Sequence, residues 1–133
     1  MKVIIPMSGM SSRFAAAGYD IPKYLIEVDG KKVIEHIVDL YPKDSDFVFI
    51  INEKHQQETD VVEVLHDLVE NPVIVTVPCH KLGPVHSVLK ASKYIDDEEQ
   101  VIVNYCDFSM KWNYDNFKDF VDDTQCDGCV VTY

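Results

Sequence analysis

No stretch of this 133-residue chain is apolar for long enough to cross a bilayer. Nor does a basic, apolar-cored leader stand at Met1-Lys2-Val3, which runs straight into a strand pattern. Both absences lead to the expectation of a cytoplasmic protein with no membrane partner. Basic residues are scarce, 12 against 23 acidic ones, for a formal charge of −11. A surface of that sign repels nucleic-acid backbones and anionic lipid, so nucleic acid is excluded as a partner. It also repels nucleotides, unless a few cations are focused in one place. Arg13, Lys23 and Lys81 are the candidates. Cysteine is limited to Cys79, Cys106, Cys126 and Cys129, which is no disulfide framework in a chain that is 47% hydrophobic. Cys126 and Cys129 have the C-x-x-C spacing of a zinc half-site or redox pair, but without a second pair they read as core or loop thiols. His36, His55, His66 and His80 have no metal-cluster spacing and read as structural or exposed. No repeat, low-complexity tract or linker divides the chain, so residues 1–133 read as a single domain.

What is present is alternation. Short apolar runs predict strands over residues 2–5, 46–52, 72–78 and 100–105. Between them, helical spacing predicts helices over residues 11–17, 31–40, 59–69, 82–94 and 114–121. Residues 24–28 read as extended, Asp29-Gly30 as a turn, and a polar segment starts at Glu53. Residues 129–133 begin a further β-branched strand that looks cut short, and its edge is where a homodimer would pair. The pattern is that of an α/β domain, Rossmann-like and doubly wound, with a mainly parallel sheet and helices on both faces. Ligands of such sheets bind beyond the carboxyl ends of the strands.

One stretch organises the rest. The first strand stops at Pro6, and a loop of mostly small residues follows: Met7, Ser8, Gly9, Met10, Ser11 and Ser12. Arg13 comes four positions after Gly9, and Lys23, next to Pro22, lies ten beyond it. Small residues let backbone N–H groups approach an anion, and a helix N-terminus adds partial positive charge. Arg13 can fork onto phosphate oxygens, while Lys23 is a compact point charge.

At these residues the chain resembles the sugar-phosphate nucleotidylyltransferases, the NDP-sugar pyrophosphorylase-like family with G-x-G-x-R followed by P-K. The spelling Pro6-Met7-Ser8-Gly9, with Ser12-Arg13-Phe14, Gly18-Tyr19 and Pro22-Lys23, is similar to a bacterial branch found beside polysaccharide and capsule pathways. Ser11 stands where the family has its second glycine; if the loop needs φ > 0 there, the residue costs about 1 kcal/mol. The resemblance implies a nucleotide-diphospho-sugar transferase-like fold and a nucleotidyltransferase moving an NMP group from an NTP to a sugar phosphate, with pyrophosphate release. It implies catalytic roles for Arg13 and Lys23, nucleotide binding by Met7, Ser8, Gly9, Met10, Ser11 and Ser12, and phosphate contacts from the amides of residues 8–12. It places Gly83, His86 and Ser87, in a Gly-led helix, beside the base or ribose, and Asp107 on Mg2+. CTP or UTP is the implied donor. The likeness covers this chain but only the first half of a typical member, whose second metal-binding Asp and acceptor pocket come later. The chain therefore reads as a fragment or short form, apparently truncated, whose own activity is in doubt.

Three other readings compete. A nucleotide-sugar glycosyltransferase also carries an acidic strand end, although Asp107-Phe108-Ser109 departs from D-x-D. A catalytically inactive nucleotide-binding module would keep the loop alone. A dinucleotide oxidoreductase wants G-x-G-x-x-G and an acid ending the second strand, which here ends in Asn52 before Glu53.

Overall fold

The computed structural model describes residues 1–132. The chain begins with β1 (Lys2–Pro6), α1 (Ser12–Ala16) and a 3₁₀ turn (Lys23–Leu25), then the hairpin β2 (Glu27–Val28) and β3 (Lys31–Lys32). It continues with α2 (Val33–Val38), β4 (Asp46–Asn52), α3 (Glu53–Glu58), α4 (Val61–Leu68) and β5 (Val73–Val77). The last elements are α5 (Pro84–Lys90), a second 3₁₀ turn (Ser92–Tyr94), β6 (Val101–Val103) and α6 (Tyr114–Thr124).

The main sheet has the order β5-β4-β1-β6, and every neighbouring pair is parallel. Successive side chains of a strand face opposite ways. Thus β1 sends Val3 and Ile5 to one core and Ile4 to the other, while β4 sends Phe47, Phe49 and Ile51 one way and Val48 and Ile50 the other. The first face packs against Ile34 and Ile37 of α2 and Val61 and Leu65 of α4. The second packs against Val88 of α5 and Ala91. Burial on both faces is why these strands read as unbroken apolar runs. Each buried Ile or Phe contributes about 1.5–3 kcal/mol, so two such layers around β1 and β4 hold the domain together. The doubly wound reading is what the structure has.

The order reverses between β1 and β6: from β1 the sheet grows to β4 and β5 on one side, then β6 pairs on the other. Lys2 is in register with Val101 and Ile4 with Val103, leaving β6 as an outer strand with Val101 and Val103 exposed.

Four expectations need correction. Residues 24–28 are not extended throughout, because Leu25 N–H donates to the Pro22 carbonyl at 2.9 Å and closes a turn that buries Tyr24 and Leu25. The polar segment is α3, a helix without an apolar stripe, started by Asn52, whose Oδ1 accepts His55 N–H at 2.7 Å. The helix over residues 31–40 begins two positions late, because Asp29 (φ 51°) and Gly30 (φ 79°) take the left-handed conformations of a tight hairpin turn and pair Lys31 with Val28. Residues 129–132 form no strand, having no sheet neighbour among the described residues, and Tyr133 lies outside them. On that side of the sheet the outer strand among the described residues is β6.

Candidate functional site

A cleft of about 720 Å³ opens beyond the carboxyl ends of β1 and β6, at the point where the strand order reverses. Its floor is the loop after β1, with Met7, Ser8, Gly9, Met10 and Ser12 in the lining. Its walls are Gly83, Pro84 and Ser87 of the α5 entry on one side, and Tyr105, Cys106 and Asp107 after β6 on the other. Lys23 and Lys81 line it against one carboxylate, Asp107, so the cleft gathers positive charge that the −11 chain otherwise lacks.

The loop is held from beneath. Asn52, fully buried at the end of β4, donates from Nδ2 to the Ser8 carbonyl at 3.0 Å and lies 3.4 Å from the Gly9 carbonyl. His55 Nδ1 sits 3.0 Å from the same amide nitrogen and 2.8 Å from the Tyr24 hydroxyl. With donors on both sides, Nδ1 is the acceptor and the imidazole is neutral. Burial, followed by the Lys54 charge, pushes the His55 pKa down, which favours that neutral form. Burial also drives the Tyr24 phenol well above its ordinary range, so it remains a donor. The result is a buried chain from the Lys23-Tyr24 turn through His55 and Asn52 to the loop carbonyls. Sequence reading gave Asn52, His55 and Tyr24 no part in the site.

Ser11 adopts φ 50°, so the left-handed conformation is required. Its Oγ accepts the Lys23 backbone N–H at 3.2 Å, a bond glycine cannot make. The strain of about 1 kcal/mol is offset by a bond of similar size. Ser11 lines a second, smaller hollow behind the loop and not the cleft.

Lys23 Nζ meets Asp107 Oδ2 at 2.7 Å across the cleft. Both side chains are partly exposed, so the pair adds at most about 1 kcal/mol and is easily opened. Asn104 anchors the turn that presents Asp107: its N–H bonds the Ile4 carbonyl at 3.0 Å, and its Nδ2 reaches the Phe108 carbonyl at 3.4 Å. Cys106, between them in sequence, is buried and its thiol is pushed up to about 12, chiefly by burial, which makes it inert packing. Among the described residues no three His, Cys, Asp or Glu side chains converge on a metal. Asp107 offers a hard cation a single carboxylate, which fits an ion such as Mg2+ that is otherwise coordinated by phosphate oxygens and water.

At the opposite wall, Gly83 has φ 86° and ψ 173°, a conformation essentially confined to glycine, while a Cβ there would meet nothing within 4 Å. Backbone conformation, not crowding, is what requires it. Ser87 is buried and lines the cleft. His86 does not line it; its ring lies edge-on to His80 with centroids 4.7 Å apart. Met7 is buried in the core cluster and also counts among the residues lining the cleft. Arg13 lies exposed on α1, outside the lining of the cleft.

A doubly wound parallel sheet with a small-residue loop and a Lys/Asp pair at its switch point defines an α/β domain built to take phosphate-bearing ligands. Residues 3–133 match the MobA-like NTP transferase domain, and the chain belongs to that family. Among curated proteins it is similar to the bifunctional protein GlmU of Clostridioides difficile (strain 630), at 31% identity over 104 residues, covering 77% of this chain and 20% of that protein. It is also similar to a probable molybdenum cofactor guanylyltransferase of Bacillus cereus (strain Q1), at 32% identity over 101 residues, 75% of this chain and 46% of that one. A nucleoside-diphosphate-sugar pyrophosphorylase from Vibrio cholerae RC9 shares its fold with a TM-score of 0.67 and 25% identity, covering 87% of this chain and 52% of that one. UDP-glucose pyrophosphorylase in complex with UDP-glucose has the same fold, with a TM-score of 0.66 at 18% identity over 94% of this chain and 54% of its own. The chain thus spans between a fifth and about half the length of these proteins.

Proposed function

We propose that this chain is the nucleotide-binding half of a nucleotidyltransferase that moves an NMP group from an NTP to a phosphorylated sugar or similar acceptor. The observation that carries the reading is the 2.7 Å Lys23–Asp107 pair, which joins the signature segment to the end of β6 at the switch point. In this reading an acceptor phosphate oxygen attacks the α-phosphorus. The new P–O bond forms in line as the bond to the α–β bridging oxygen breaks, and pyrophosphate leaves with the electron pair. No covalent enzyme intermediate is needed, so positioning and charge supply the catalysis.

Backbone amides of residues 8–10 and of Ser12 cradle the outer phosphates, while Ser11, outside the cleft lining, holds the loop to Lys23. Lys23, released from Asp107 as the nucleotide enters, faces charge developing at the α-phosphate. Mg2+, when bound by Asp107 together with phosphate oxygens, supplies charge neutralisation. Gly83 leaves open space for a flat base beside Ser87, and His86 takes part only from behind, through His80. Arg13, exposed on α1 and outside the cleft lining, keeps its role toward the outer phosphates in this reading only on the strength of the family resemblance. The donor we favour is CTP or UTP, from the Pro6-Met7-Ser8-Gly9 spelling, and the setting is cytoplasmic surface-polysaccharide or capsule biosynthesis. No helix among the described residues is long and apolar enough to cross a membrane.

The test is calorimetric titration of this chain with CTP, UTP, GTP, ATP and dTTP, each with and without Mg2+. We expect one pyrimidine triphosphate to bind selectively and more tightly with Mg2+, and Lys23→Ala to weaken it about tenfold or more. Silence from every triphosphate refutes the reading. In the complete protein Lys23→Ala removes most turnover with the fold intact, and a near-normal rate would sink the role of Lys23.

A further inference from the structure

Ser8, Ser87 and His80 form a hydrogen-bonded row from the loop to the far wall of the cleft. Ser8 Oγ lies 2.6 Å from Ser87 Oγ, which lies 3.1 Å from His80 Nε2. At the other end of the ring, the Leu82 backbone N–H donates to His80 Nδ1 at 3.2 Å. Ser8 is 5% and Ser87 1% exposed, so neither hydroxyl has bulk water to fall back on.

The direction of this row follows from one fixed bond. A backbone N–H can only donate, so Nδ1 is the acceptor and the ring proton sits on Nε2. That proton can only be donated, so Ser87 Oγ receives it. Ser87 has no other acceptor within reach among the described residues, and its own hydrogen goes to Ser8 Oγ. The Ser8 hydrogen is then the one left over, and Ser8 lines the cleft.

Resting on the nucleotide reading above, we infer that the Ser8 side-chain hydroxyl donates to a phosphate oxygen of the bound nucleotide, and that His80 is the positioning residue that sets the hydrogen-bond direction. The loop then contributes a side-chain donor besides its amides. The row also couples the two walls: the loop over residues 80–83, which presents Lys81 and Gly83 to the cleft, is registered to the phosphate floor through Ser87. The edge-on contact of His86 packs against the His80 ring from outside. His80, which sequence alone marks as structural or exposed, thereby acquires a role, and His86 acts on the site only through it.

Two measurements test this. The first needs no ligand: nitrogen-15 NMR of the histidine rings in the unliganded chain. His80 is expected as the neutral Nε2–H tautomer with a hydrogen-bonded Nδ1; the Nδ1–H tautomer overturns the inference. The second is a double-mutant cycle on the affinity for Mg-CTP and Mg-UTP, with urea denaturation confirming that each variant is folded. Ser8→Ala is expected to weaken the triphosphate that binds about tenfold or more, as loss of a bond to a charged acceptor does. His80→Asn keeps an acceptor for Leu82 N–H but no longer reaches Ser87, and is expected to weaken binding about threefold to tenfold. The double variant is expected to be no weaker than Ser8→Ala alone. Additive losses reduce His80 to a structural residue and overturn its role. Wild-type binding that is insensitive to Ser8→Ala overturns the donor assignment while leaving the nucleotide reading standing.

Discussion

Asn52→Ala is expected to remove about 2–4 kcal/mol of stability, although the residue touches no ligand. Two losses add. The side chain caps α3 through His55 N–H at 2.7 Å, and deleting such a cap costs about 1 kcal/mol. It also satisfies the carbonyl of Ser8, and a buried acceptor left alone costs about 1–3 kcal/mol more. Asn52→Asp separates the two. An aspartate keeps the acceptor for His55 N–H but has no donor, and it sets a carboxylate oxygen against the Ser8 carbonyl in a site with no exposure. It is expected to be no more stable than the alanine variant. Equilibrium urea denaturation followed by circular dichroism measures both. A loss below about 1 kcal/mol for Asn52→Ala, or a wild-type midpoint for Asn52→Asp, refutes the reasoning that the loop is held from β4.

Three further outcomes follow from the same geometry. Ser11→Ala keeps the strained φ of 50° and loses the bond to Lys23 N–H, so it should destabilise by about 1 kcal/mol, whereas Ser11→Gly relieves the strain and should lie nearer wild type by urea midpoint. Gly83→Ala should destabilise by about 1–3 kcal/mol although a Cβ meets nothing within 4 Å, because φ 86° with ψ 173° is costly for any L-residue. His55 has its pKa lowered from an ordinary 6.5, so below that pH the unfolded chain binds the extra proton first. Its contribution to stability is therefore complete above about pH 6.5 and falls as pH drops toward the lowered folded value. A His55→Gln variant should lose that part of the slope, and identical slopes in urea midpoints from pH 5 to 7.5 would refute the assignment.

The sheet was legible because β1 and β4 are buried on both faces, which writes Val3-Ile4-Ile5 and Phe47-Val48-Phe49-Ile50-Ile51 as continuous runs. That the loop after β1 and Asp107 would meet at one cleft was legible because residues after strand carboxyl ends converge in such a fold. The sequence did not reveal what joins distant segments. Ser8 and Ser87 stand 79 positions apart and meet only because α5 packs against the sheet beside β1. Asn52 reads as a strand's last residue until the parallel register places Ile50 beside Pro6, so that the loop after β1 starts above it. α3 escaped notice because Glu-Lys-His-Gln-Gln-Glu has no apolar period and depends on its cap.

The outer edge of β6, which has no strand partner among the described residues, gives salt a physical route to this chain's solubility. Val101 and Val103 are exposed on that edge, and Val85 and Leu89 of α5 are exposed as well. Surfaces of charge −11 repel one another over a Debye length of about 10 Å at 0.1 M ionic strength and about 3 Å at 1 M. Dilute buffer therefore favours separate molecules. Concentrated salt screens the repulsion and strengthens apolar contact, turning the same strand into a template for the next copy.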